Sequence, residues 1–118
     1  MKVLPIIDAY AFRYKVQLGG SSFVLRFTWV ERANSWYMDV GLEDGTWLRT
    51  GVRIVVGFPL FRNSVDDRLP TGVFWAYTPD GREIEKREDL GGRVKLLFIH
   101  VDELPSPPPK ASVKVLVT

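Results

Sequence analysis

The chain has no cysteine and only one histidine, His100. The first absence rules out a disulfide framework and leaves any metal site to histidine and carboxylates. The second removes multi-histidine metal sites and most acid–base constellations. Long apolar runs are missing too: none approaches the roughly 20 residues that span a bilayer. Met1-Lys2-Val3-Leu4-Pro5-Ile6-Ile7-Asp8 opens in the manner of a secretory signal. Its apolar stretch is short, is broken by Pro5 and ends on an acid, so the expectation is a soluble protein made without export and without a membrane partner. Charge of one sign is scarce, with 16 basic residues against 14 acidic. A nucleic-acid footprint requires clustered excess Lys and Arg, so nucleic acid is not the expected partner.

Motifs of group-transfer chemistry are also lacking. There is no G-x-x-x-x-G-K-[ST] or G-x-G-x-x-G phosphate cradle and no G-x-S-x-G elbow. A Ser–His–acid site would have to use His100, whose alternation partners Val94, Leu96 and Phe98 are apolar. That setting reads as a strand-end histidine with a local hydrogen bond. Glu43-Asp44 and Asp66-Asp67 are neighbouring acids of the kind usually just solvated, and Asp44 precedes Gly45 in a turn. The run from Arg82 to Asp89 mixes both signs and reads as a solvated loop. No catalytic, cofactor-binding or metal-ligating residue is expected.

What is present is β patterning and aromatic bulk. The 118 residues suit one domain. Seven Phe, four Trp and four Tyr supply a firm core and material for an interface. Phe12, Tyr14, Val16 and Leu18 alternate with Arg13, Lys15 and Gln17, and Gly19-Gly20 allows a tight return into Phe23, Leu25, Phe27 and Trp29. Glu31 to Ser35 is turn material. Trp36, Met38, Val40 and Leu42 alternate next, and Asp44-Gly45 is a two-residue hairpin signal leading to Thr46-Trp47-Leu48-Arg49. Val52 to Phe58 is almost continuously apolar, as in a strand buried on both faces or one that bends between two sheets, and Pro59 ends it. Residues 61–71 form a long connection. Val73 to Tyr77 and the run around Val94 to Val101 are further strands. At most one short helical turn is expected, around 61–68 or 83–90.

Residues 105–118 stand apart. Pro105-Ser106-Pro107-Pro108-Pro109 favours polyproline II, a stiff spacer, and Ala111 to Thr118 is strand-like. That segment either folds onto an edge of its own sheet or adds to a neighbouring chain. The fold class expected is all-β: an antiparallel β sandwich or partly open barrel of about seven to nine strands, a single domain over residues 1–104.

One ordered set of motifs goes beyond patterning. Phe27-Thr28-Trp29-Val30-Glu31-Arg32-Ala33-Asn34-Ser35-Trp36-Tyr37-Met38-Asp39-Val40 resembles the aromatic strand, E-R-x-x-x-W turn and W-x-x-D strand of cyanophage-type phage tail baseplate plug proteins. Thr50-Gly51 through Gly57 to Leu60, then Leu69-Pro70-Thr71-Gly72, then Asp89-Leu90-Gly91 before Leu96-Leu97-Phe98-Ile99 continue the likeness over about residues 12–101. Val30 departs from it, standing where the family pattern has a polar Asn. The motifs themselves are fold-making: Trp29 and Trp36 flank a turn, Arg32 has Glu31 and Asp39 as candidate partners, and Gly51, Gly57 and Gly72 mark bends or left-handed positions.

The resemblance implies a structural role in the virion, at the centre of a contractile-tail baseplate, with no cofactor. It implies contact with hub and tape-measure proteins and, if copy number follows the hub, a trimer in the virion. Synthesis would be in the host cytoplasm. From residue type alone, the candidate interface residues are Tyr37, Trp47, Arg62, Trp75 and Tyr77, since Trp, Tyr and Arg are enriched in protein interfaces. A second reading is a small β-barrel module binding carbohydrate or single-stranded nucleic acid, with Tyr37, Trp47, Trp75 and Tyr77 as stacking rings and Arg26, Arg49 and Arg53 as charges.

Overall fold

The computed structural model describes residues 2–60, 68–70 and 72–100. The connection at 61–67, including Asp66-Asp67 and Arg62, and the spacer and strand-like segment at 105–118 lie outside the described residues. The described residues form eight strands: β1 Lys2–Val3, β2 Ala11–Leu18, β3 Ser21–Val30, β4 Ser35–Gly41, β5 Trp47–Arg53, β6 Pro59–Leu60, β7 Gly72–Tyr77 and β8 Lys95–His100. They form two four-stranded antiparallel sheets, ordered β2-β3-β4-β5 and β1-β8-β7-β6. No barrel closes among the described residues, so of the two architectures expected it is the sandwich that forms.

The first sheet is the meander written into the first fifty residues. Side chains of β3 alternate without a fault: Phe23, Leu25, Phe27 and Trp29 are buried and the residues between them half-exposed. Leu18 pairs with Ser21 across Gly19-Gly20, both at positive φ, which is the two-residue turn whose twist matches the strands. The second hairpin differs from expectation. Gly45 N–H bonds to Leu42 O and Leu42 N–H to Thr46 O, so the loop has three residues, with Gly45 in the left-handed position of a bulge. Asp44 Oδ1 accepts the Thr46 N–H, which holds its carboxyl below the usual range.

Trp29 and Trp36 are cross-strand partners with ring centroids 5.8 Å apart. Around them sits the E-R-x-x-x-W turn, whose residues Glu31–Ala33 form one 3₁₀ turn. Val30 offers no side-chain cap. The turn closes instead through Asn34 at φ 54° and through Ser35 Oγ donating to Ala33 O. The partners suggested for Arg32 are engaged elsewhere. Glu31 Oε2 accepts the Trp29 indole N–H, and Asp39 is held by Arg26 at 2.6 Å. Indole geometry thus fixes Glu31, and Arg26, on the adjacent strand, is the cation in register with Asp39.

Val52 to Phe58 is the crossing between sheets, the second of the two forms expected. Ile54 and Val56 point into the core, Ile54 N–H bonds to Trp36 O in the first sheet, and Gly57 N–H bonds to Ala76 O in the second. Pro59 does not end the element. It opens β6, the edge strand beside β7, where a missing N–H costs no ladder bond. Gly72 is required by close approach, because a Cβ there would meet Ile99 O and Phe98 Cζ. The two inner faces share one core, in which Trp36, Phe27, Phe74, Leu96 and Leu25 are almost fully buried.

The mixed-charge run is more than a solvated loop. Arg87–Asp89 form a second 3₁₀ turn, and Ile84 and Leu90 on either side are buried. Arg93 donates to the carbonyls of Arg82 and Glu83 and pairs with Asp89 at 3.2 Å. Glu83 Oε1 accepts the Val56 N–H at 3.0 Å, tying this latch to the crossing. Burial desolvates Asp89, but the N–H groups of Glu85 and Lys86 and the charge of Arg93 outweigh that and hold its carboxyl below the ordinary 3.8. A depressed folded value contributes stability above the unfolded value and loses it as pH falls through the folded one. The melting temperature is therefore expected to be level from neutral pH to about 5 and to fall below about 4. Asp89→Asn should flatten part of that acid limb; an unchanged limb would remove Asp89 from the account.

Candidate protein interface

The two sheets present two outer faces, and the expected interface residues divide between them. Tyr37 and Trp47 lie on the outer face of β2-β3-β4-β5, while Trp75 and Tyr77 lie on that of β1-β8-β7-β6. Arg62 lies outside the described residues. The structure brings together two pairs, not one cluster.

The first outer face is polar and internally paired. Its rows run Ala11–Thr28–Tyr37–Arg53, Arg13–Arg26–Asp39 and Lys15–Val24–Gly41–Trp47. Asp39 accepts Arg26 Nε and the Gly51 N–H, each at 2.6 Å, and Gly51 at φ 69° supplies the bulge in β5. The Arg26 guanidinium lies 4.0 Å from the centre of the Trp47 ring. The Trp47 ring also rests on Gly41, where a Cβ would have no room. A base or sugar stacking on Trp47 would first have to displace Arg26. Lys15 pairs with Glu43 at 3.8 Å, which gives that acid a structural use.

The second outer face is apolar. Register sets Val3, Leu97, Trp75 and Pro59 in one row across all four strands. The neighbouring rows are Ile99–Val73 and Lys95–Tyr77. Val3 is 62% exposed, Tyr77 50%, and Phe58, just before Pro59, 63%. Most of these residues do not belong to the shared core, and together they cover the face from one edge of the sheet to the other. Exposure is concentrated at Val3, Phe58 and Tyr77; Leu97, Trp75, Pro59 and Ile99 are half-buried and Val73 is buried.

Of the residues on this face, residue type had singled out Trp75 and Tyr77 and not Val3, Phe58, Pro59 and Leu97. The alternation of the last strand carried a usable signal for Leu97 and Ile99, since Leu96 and Phe98 point inward. For Val3 no signal existed, because a two-residue strand shows no period. Among the described residues no group of three or more His, Asp or Glu is placed to hold a metal ion. His100 lies at the end of β8 opposite Gly72. No helix among the described residues is long and apolar enough to cross a membrane.

Residues 1–102 match the family model described as Cyanophage baseplate Pam3 plug gp18. No curated protein matches the chain. The match takes in both sheets, the E-R-x-x-x-W turn and the latch, so the ordered motifs and the fold they build point the same way. The chain belongs to the cyanophage baseplate plug family, structural proteins of the virion's tail baseplate.

Proposed function

We propose that this protein acts purely by protein–protein contact, closing the centre of the tail baseplate against the hub and the end of the tape measure, without catalysis or cofactor. The observation that carries this reading is the apolar outer face, the row Val3–Leu97–Trp75–Pro59 with Tyr77 and Phe58 beside it. A soluble monomer gains nothing from exposing Val3, Phe58 and Tyr77 beside half-buried Leu97 and Trp75, whereas a component of an assembly buries them. The hub is the partner assigned to it. A copy number that follows a threefold hub makes the protein a trimer in the virion.

The test is a charge placed at the centre of the face. Trp75→Asp, in the middle row, and Tyr77→Asp, at its half-exposed rim, are expected to weaken hub binding by at least tenfold, since a buried unpaired carboxylate costs more than the 1.4 kcal/mol that tenfold represents. Binding is read by titration calorimetry, with far-ultraviolet circular dichroism showing that each variant is folded. Full affinity in both folded variants would move the contact off this face. The carbohydrate or single-strand reading has less support: Arg26 occupies its Trp47 ring, and its Trp75 and Tyr77 lie on the other sheet from Arg26, Arg49 and Arg53.

A further inference from the structure

Between β1 and β2 the chain passes from the second sheet to the first, packed against the latch. Both ends of the passage are pinned. Leu4 N–H bonds to Leu96 O at 2.8 Å, and Tyr10 O accepts the Trp29 N–H at 2.7 Å. Gly91, at φ 90°, lets Ile6 close in, because a Cβ there would stand 2.9 Å from Ile6 Cβ. Asp8 accepts from Arg87 Nη1 at 2.8 Å, and the Arg87 guanidinium lies 4.5 Å from the centre of the Tyr10 ring. So held, the passage still leaves Ile7 47% and Tyr10 64% exposed.

Arg87 lines two clefts here. One, of about 290 Å³, has Ile6, Ile7, Leu90 and Trp36 as its apolar walls. The other, of about 220 Å³, lies against Tyr10 and Trp29. Sites for small organic ligands run from about 300 to 1,000 Å³, so each cleft suits a single side chain better than a cofactor. The charged groups lining them are unbalanced: Asp8, Glu31, Glu85 and Glu88 stand against Lys86 and Arg87. The whole chain carries +2, so this acidic rim runs against its overall charge. Arg87 is already engaged by Asp8 and Glu88, whose side chains remain 91% and 68% exposed. The buried Arg87 Nε has no acceptor among the described residues. A buried donor left unmet costs free energy, and an entering backbone carbonyl would meet it.

We propose that these clefts hold a segment of a partner protein in which an apolar side chain is flanked by Lys or Arg. The apolar side chain takes the larger cleft, and the flanking cations face Asp8, Glu85 and Glu88. An acidic segment or a nucleic acid would meet like charge at the same rim. This assignment rests on the protein-contact reading above and adds a second contact, made by residues other than those of the Val3–Leu97–Trp75–Pro59 row.

The test is a titration of capped tripeptides into the isotope-labelled full-length chain, followed by nuclear magnetic resonance. Lys-Leu-Lys at millimolar concentration is expected to shift the Trp36 indole N–H and the amides of Gly91 and Gly92, leaving those of Trp75 and Tyr77 in place. Lys-Ser-Lys, without the apolar side chain, and Glu-Leu-Glu, of opposite charge, are each expected to bind at least threefold more weakly. Glu85→Lys/Glu88→Lys, at two exposed positions, is expected to turn the preference toward Glu-Leu-Glu. Equal affinity for Lys-Leu-Lys and Glu-Leu-Glu, an unchanged preference in the folded double variant, or signals that stay still with every peptide would overturn the proposal. The same shifts on raising the protein concentration without peptide would make a second copy the occupant and overturn it too. No hub protein enters this titration and no cleft residue enters the Trp75→Asp and Tyr77→Asp test, so each can fail alone.

Discussion

Trp36→Ala is expected to remove about 3–5 kcal/mol of folding stability, a large share of the roughly 5–15 kcal/mol typical of a domain. The residue is 1% exposed at the meeting of three elements. Its ring lies 5.8 Å from Trp29 across the hairpin and 5.8 Å from Phe12 on the edge strand, the latter edge-on. Its indole N–H donates to Arg87 O at 3.0 Å, fifty-one residues along the chain. Alanine would leave a cavity at the heart of the sandwich and a carbonyl without its donor. Trp36→Phe separates the two losses: it keeps ring contacts and forfeits only the donor, at about 1–2 kcal/mol. Urea denaturation read by the remaining tryptophans measures both. A Trp36→Ala midpoint close to wild type would mean that the turn and the latch do not depend on each other.

Asp39→Ala is expected to cost about 2 kcal/mol through a different mechanism. The carboxylate is 9% exposed and holds the Gly51 N–H in the bulge and Arg26 beside Trp47. The Arg26 side chain is 40% exposed, so solvent screens much of the charge–charge attraction. Most of the loss comes from the bulge N–H and from the Arg26–Trp47 stack that Asp39 orients. Asp39→Asn retains a carbonyl oxygen for Gly51 and should cost about half as much. Equal losses in the two variants would assign the effect to the charge. Amide exchange at Gly51 provides a local check, since its protection should drop in both and further in the alanine variant.

These two residues also show where sequence reading succeeds and where it stops. Trp36, Met38 and Val40 alternate cleanly, and with Phe23 to Trp29 they give the meander without any coordinates. The W-x-x-D spacing singled out Asp39 but suggested Arg32 as its partner, because neighbours in sequence are visible and neighbours in register are not. Arg26 becomes the partner only once β3 and β4 are aligned. The bond from Trp36 to Arg87 is invisible for the same reason. Pro59 read as a terminator because proline breaks central strands, whereas at an edge it is admissible. The mixed charges from Arg82 to Asp89 read as solvated because composition cannot show that Arg93, beyond the run, bonds two of its carbonyls. On the second outer face, residue type singled out Trp75 and Tyr77, but only strand pairing sets Val3, Leu97 and Pro59 in one row with Trp75. Residue type also proposed Tyr37 and Trp47, which the fold places on the other, self-paired face.

The central claim, that this plug-family chain works by protein contact in the baseplate, is tested most directly by the solution mass of the full chain, alone and after mixing with hub and tape-measure proteins. The account predicts a stable complex with the hub that survives gel filtration. A chain that ignores both proteins at micromolar concentration, and instead binds an oligosaccharide or a single-stranded oligonucleotide with strong salt dependence for the latter, would contradict it.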